Sequence, residues 1–113
     1  MGDLADVEAK ITFLKEEEGG RTRSVLSGYR PNHRVRDNYL TTGTHHYYDK
    51  DIVQMGDTVL GTITFIAPES YPRCLWVGKT ISIQEGSRVV GYAEITNVFN
   101  HILLKDDSTN GKR

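Results

Sequence analysis

Thr58-Val59-Leu60-Gly61-Thr62-Ile63-Thr64-Phe65-Ile66 is the stretch that decides the fold of this 113-residue chain. Val59, Gly61, Ile63 and Phe65 alternate with Leu60 and three threonines, a period of two that places one set on a single face of a strand. The same alternation recurs toward the N-terminus. In Val7 to Leu14, residues Val7, Ala9, Ile11 and Phe13 share a face opposite Glu8, Lys10 and Thr12. Toward the C-terminus, Thr80 to Gln84, the turn Glu85-Gly86-Ser87 and Arg88 to Val98 read as a hairpin, with Val89, Gly91, Ala93 and Ile95 on one face. Ser24 to Tyr29 and Thr44 to Tyr48 read as shorter extended segments.

Between them lie punctuating segments. Glu16-Glu17-Glu18-Gly19-Gly20, Asp49-Lys50-Asp51 and Met55-Gly56-Asp57 read as turns, and Pro68 and Pro72 bracket a loop. Residues 32–43 are polar and read as an irregular loop. From Lys105 onward no apolar residue occurs, which reads as a disordered end.

Composition agrees with the strands. Val, Ile and Thr number 28 against 12 for Leu plus Ala, and side chains branched at Cβ suit a pleated sheet better than a helix. The class is all-β. About six short strands with partly apolar faces predict a single closed antiparallel barrel, since an open sheet of this size leaves edges to protect. The barrel is assigned to residues 1–98 and a C-terminal extension to 99–113. Its expected interior includes Ile11, Phe13, Val59, Ile63, Phe65, Ile81, Ile83, Val89 and Ile95.

Other classes are excluded by the same arithmetic. No apolar run approaches the ~20 residues of a membrane helix, and no signal peptide opens the sequence. The single Cys74 can form no internal disulfide, so a reducing cytoplasm is the expected compartment. A net charge of −1 argues against a protein coated in positive charge for binding nucleic acid, and no DNA partner is expected. The charge is nevertheless uneven. Residues 1–18 carry a net −4, and residues 19–36 carry five arginines (Arg21, Arg23, Arg30, Arg34, Arg36) and no acid. That segment reads as a concentrated basic patch.

No catalytic constellation emerges, so the chain reads as a non-enzyme without cofactor or metal. Gly78-Lys79-Thr80 ends like a phosphate loop, but Arg73 stands where its first glycine is needed and a strand follows. His45 and His46 are adjacent in a strand and point to opposite faces, and His33, His101 and Cys74 lack zinc spacing. Cys74, beside Leu75 and Trp76, reads as a buried small apolar residue.

Four spaced motifs carry a resemblance. They are Glu18-Gly19-Gly20-Arg21, Gly28-Tyr29-Arg30-Pro31, Met55-Gly56-Asp57 and Ile83-Gln84-Glu85-Gly86-Ser87-Arg88-Val89-Val90-Gly91. Their order and spacing resemble the C-terminal, third barrel domain of bacterial translation elongation factor Tu, over about residues 7–98. The resemblance implies a six-stranded antiparallel barrel. It also implies a surface for the tRNA T-stem backbone, with Arg21, Thr42 and Gly86 at the corresponding positions. The GTPase domain is absent, so no GTP chemistry is implied. An arginine beside two glycines suits a phosphate, because the backbone can approach closely and the guanidinium can bind through two N–H groups.

The departures are a missing proline before Gly56, Ala67 in place of a polar residue, a longer loop from Pro68 to Lys79, and extra residues after Val98. The expected binding residues are therefore Arg21, Arg23, Arg30, Arg34, Thr42 and Gly86. The expected partner is tRNA or another translation component, or alternatively a specific protein such as a toxin to which this chain would serve as an immunity protein.

Overall fold

The computed structural model describes residues 5–105 of the chain. Eight strands form: β1 (Val7–Phe13), β2 (Val25–Leu26), β3 (Asn32–Arg36), β4 (Tyr39–Tyr47), β5 (Ile52–Val53), β6 (Thr58–Phe65), β7 (Thr80–Glu85) and β8 (Arg88–Val98). Six close into an antiparallel barrel in the order β1-β6-β4-β3-β7-β8, with β8 returning to β1, while β2 and β5 pair as a two-residue ribbon. The all-β barrel expected from the alternating segments is what forms.

The core follows the period of two. Val7, Ala9, Ile11 and Phe13 of β1 face inward, as do Val59, Ile63 and Phe65 of β6 and Ile81 and Ile83 of β7. Tight curvature is possible because glycines sit where strands cross closely. A Cβ on Gly61 would lie 2.5 Å from the His46 carbonyl, and one on Gly91 would lie 2.5 Å from the Thr12 carbonyl. The rings of Tyr47 and Phe13 cover the gaps these glycines leave.

Two expectations need correction. Residues 32–43 are not an irregular loop but most of a hairpin, β3 and β4, turned at Asp37-Asn38 with Asn38 at φ 62°. Its inward positions are His33, Val35, Thr41, Gly43, His45 and Tyr47. They alternate correctly yet are mostly polar or small, so they carry no hydrophobic signal. The second correction concerns β8. Gln84 pairs with Val89 and Ile83 with Gly91, leaving Val90 as an extra residue. That bulge turns Val90 into the core at 0% exposure, and Val89, expected inside, is only half-buried.

The C-terminal extension is structural as far as it is described. Phe99 and Asn100 both donate backbone N–H groups to the Asp6 carbonyl. The Asp6 carboxylate accepts from Asn100 Nδ2 at 2.8 Å and from the Phe65 N–H at 2.7 Å. A short 3₁₀ turn, His101–Leu103, then buries Leu103 completely. Beyond it Leu104 pairs with Leu75, while Arg73 and Leu75 donate to the carbonyls of Ile102 and Leu103. The long loop and the extra tail therefore pack on each other. The reading of the last residues as disordered falls on 106–113, outside the described residues.

Cys74 is a free thiol at 5% exposure, and burial pushes its pKa up although Lys79 and Arg36 oppose the shift. Labelling of the native protein by a thiol reagent at neutral pH should accordingly be much slower than labelling in denaturant. Equal rates in the two states would show that the thiol is not enclosed. Trp76, grouped with it from sequence, is instead 36% exposed.

Candidate functional site

The expected binding residues start in the turn after β1. Glu16–Glu18 make one 3₁₀ turn, closed by Gly19 at φ 97° and by the Glu18 carboxylate accepting from the Lys15 N–H at 2.8 Å. Gly20 follows so close to the chain that a Cβ would sit 2.3 Å from the Leu14 carbonyl. No other residue fits there. The turn thus delivers Arg21 to the β7–β8 hairpin.

The two motifs hold each other. Arg21 Nη1 donates to Glu85 in an ion pair, and its Nε donates to the Arg23 carbonyl at 3.2 Å. In the opposite direction, Arg88 of the hairpin donates from Nε to the Gly19 carbonyl at 3.1 Å and from Nη2 to the Gly20 carbonyl at 2.5 Å. The Arg21 guanidinium also lies over the Tyr29 ring, 5.2 Å from its centroid, and the Tyr29 hydroxyl donates to Glu85 at 2.5 Å. Burial raises the Glu85 carboxyl, but the hydrogen bonds from Tyr29 and Arg21 outweigh it and hold the group below its ordinary value. Tyr29 is placed by its own segment, which runs beside β4 with the His45 N–H donating to the Tyr29 carbonyl.

Thr42 and Gly86 join the same region through Asn32. Asn32 Nδ2 donates to Thr42 Oγ1 at 3.4 Å, and its Oδ1 accepts from the Gly86 N–H at 3.1 Å. Gly86 takes φ 64° at the hairpin turn, where a Cβ would be strained. Arg21, Thr42 and Gly86 are therefore linked by Glu85 and Asn32 into one surface. Arg23 shares a cavity of about 160 Å³ with Arg21, Glu85 and Arg88. Arg30 is exposed on the segment leading to β3. Arg34 belongs elsewhere, pointing outward from β3 into a different groove with Arg36. Four of the five arginines of the basic segment are thus split between two places, and Arg30 lines neither. Among the described residues no ion pair joins this patch to Glu16–Glu18, and Arg21 pairs with Glu85 instead.

Sequence reasoning missed Glu85, Arg88 and Asn32 as parts of this surface. Glu85 and Arg88 lay within a quoted motif, but their reach across 64 and 68–69 residues is set only when the barrel closes. Asn32 had no signal at all.

A second polar cluster lies inside the barrel. His33 Nε2 and His45 Nε2 are 2.8 Å apart, and His45 Nδ1 lies 2.9 Å from the Tyr47 hydroxyl. His33 Nδ1 has no partner. Two proton arrangements fit these contacts: His33 donates to His45, which donates to Tyr47, or the Tyr47 hydroxyl donates to His45, which donates to His33. In either arrangement an added proton places a charge in the buried interior beside the second ring, and a backbone hydrogen bond with Thr41 offsets this only in part at His33. Burial accordingly lowers His33 to about 4, and burial with the neighbouring His33 and His46 lowers His45 well below its ordinary value. His46 is exposed on the opposite face, so the adjacent histidines do not share a site. Among the described residues no group of three or more His, Cys, Asp or Glu side chains is arranged to hold a metal ion.

No family model matches the chain.

Proposed function

We propose that the chain is a non-enzymatic binding module akin to the third barrel of elongation factor Tu, recognising tRNA or another component of translation. The observation that carries this reading is the reciprocal bonding of the two motifs, Arg21 to Glu85 and Arg88 to the Gly19 and Gly20 carbonyls. It builds a rigid surface in which an arginine, two tight glycine turns and a threonine lie together. Backbone phosphates approach such a surface closely, with Arg23 and Arg88 adding charge. The surface positions a ligand and offers no nucleophile or base to transform one.

The test is titration of unmodified tRNA at several salt concentrations, followed by anisotropy. Binding should be weak at physiological salt and strengthen as salt falls, with each phosphate contact adding about 0.7–0.9 to the slope of log affinity against log salt. Arg23→Ala should lower that slope by roughly one contact. Glu85→Gln should strengthen binding, because it releases the Arg21 guanidinium from its carboxylate. A folded protein that binds no tRNA even at low salt ends this reading.

A specific observation favours a protein partner as the second reading. The β2–β5 ribbon turns Val25 and Val53 inward and leaves its other pair, Leu26 and Ile52, 61% and 49% exposed. Such an apolar pair beside a surface of mixed charge suits a protein interface, for example that of a toxin held by its immunity protein. Under that reading, Leu26→Lys abolishes recovery of one specific protein and leaves tRNA affinity unchanged.

A further inference from the structure

The loop and the tail that exceed the resemblance build a groove of their own. It has a volume of about 620 Å³ and lies between the outward face of β3, the start of β7, the loop around Arg73 and Trp76, and Lys105, the last described residue. Arg34, Arg36, Arg73, Lys79 and Lys105 line it, and Asp37 is the sole carboxylate in its lining. Arg34, Arg36, Arg73 and Lys79 make no ion pair among the described residues.

Two features show that the charge is held there at a cost. Lys79 is drawn in until its ammonium donates to the carbonyls of Val35 at 2.7 Å and Cys74 at 2.6 Å. Both acceptors are neutral, and Asp37 attracts the ammonium without forming an ion pair with it, so among the described residues this partly buried cation is held by carbonyls alone. Arg73 sits at φ 60°, a left-handed backbone conformation that is strained for any residue bearing a Cβ. Glycine would relieve the strain, yet the position holds a charged side chain directed into the groove.

Aromatic surface accompanies the charge. Trp76 is 36% exposed, with Lys79 Nζ 4.5 Å and Lys105 Nζ 5.3 Å from its ring centroid. Tyr92, 45% exposed, lines the same groove. Cations from separate segments match a run of phosphates better than a single one, and exposed rings supply stacking surfaces for bases. We propose that this groove binds a short single-stranded polynucleotide, with the arginines and Lys79 on its phosphates and a base against Trp76 or Tyr92. The site is distinct from the Arg21 surface and does not depend on it.

Trp76 is the single tryptophan of the chain, so its fluorescence reports on the groove alone. A uridylate decamer added at low salt should quench it saturably, with a salt slope of about 0.7 per phosphate contact. With a fluorescein-labelled decamer, Trp76→Leu should weaken affinity roughly tenfold through lost stacking. Arg73→Gly should weaken it severalfold while the melting temperature stays the same or rises. Lys10→Ala, exposed on β1 and lining neither cavity, should leave decamer affinity unchanged. The proposal fails if the decamer does not bind, or if Arg73→Gly binds as tightly as the wild type. It also fails if uridine monophosphate or inorganic phosphate displaces the decamer at equal concentration, or if a ten-base-pair RNA duplex binds equally well.

Discussion

Lowering the pH from 7 to 4.5 is expected to remove roughly 2 kcal/mol of stability through His33, with a further loss in the same direction through His45. Both imidazoles are fully buried and neutral, and burial holds His33 near 4 and His45 well below its ordinary value. In the unfolded chain each titrates near about 6.5, so below that pH the unfolded state binds protons that the folded state refuses. A depressed histidine therefore contributes stability that is complete above pH ~6.5 and is lost as pH falls toward the folded value, at about 1.4 kcal/mol per unit for each. Small domains are stable by only about 5–15 kcal/mol, so the loss is a large share of the whole. Denaturant unfolding at a series of pH values should give a slope between pH 6 and 4.5 approaching two protons. His33→Gln, which can still hydrogen-bond to His45, should reduce that slope toward one. A flat profile over this window would mean that the pair is solvated or already charged in the folded protein.

Ile63→Ala is expected to cost about 2–5 kcal/mol, the range for truncating a fully buried aliphatic side chain. Ile63 is at 0% exposure in the middle of β6, with Val7 opposite it on β1 and His45 opposite it on β4. A cavity here would also loosen the packing that buries the histidine pair. Leu60, three residues earlier on the outward face and 42% exposed, is the control, and Leu60→Ala should shift stability by about 0.5 kcal/mol or less. Equal effects at the two positions would mean that the faces of β6 are assigned the wrong way round.

The legibility of the fold varied by strand for identifiable reasons. Strands β1, β6 and β7 were readable because their inward residues are Val, Ile and Phe, so the pleat and the hydrophobic pattern coincide. The β3–β4 hairpin was not readable, because His33, Thr41 and His45 occupy inward positions as polar groups satisfied by one another, by Tyr47 and by Tyr71. A single bulge at Val90 was enough to reverse the expected faces at the start of β8, since one extra residue exchanges inside and outside. The candidate surface was half legible. Arg21 and Gly86 stood out within motifs, whereas the Glu85, Arg88 and Asn32 side chains that join them did not.

The sequence by itself determined the all-β class, the alternating strands and the terminal hairpin, because these depend on residues two apart and on turn chemistry within a few positions. The tertiary structure alone decided which charges meet. Closure of the barrel neutralised Arg21 with Glu85, took Arg34 and Arg36 away from it, and joined the loop at Arg73 to the tail at Leu104 to form a second basic groove. It also brought His33 against His45 at fully buried positions, where neither accepts a proton readily. Such encounters depend on strand order and register around the whole ring, and no local pattern of residues encodes them.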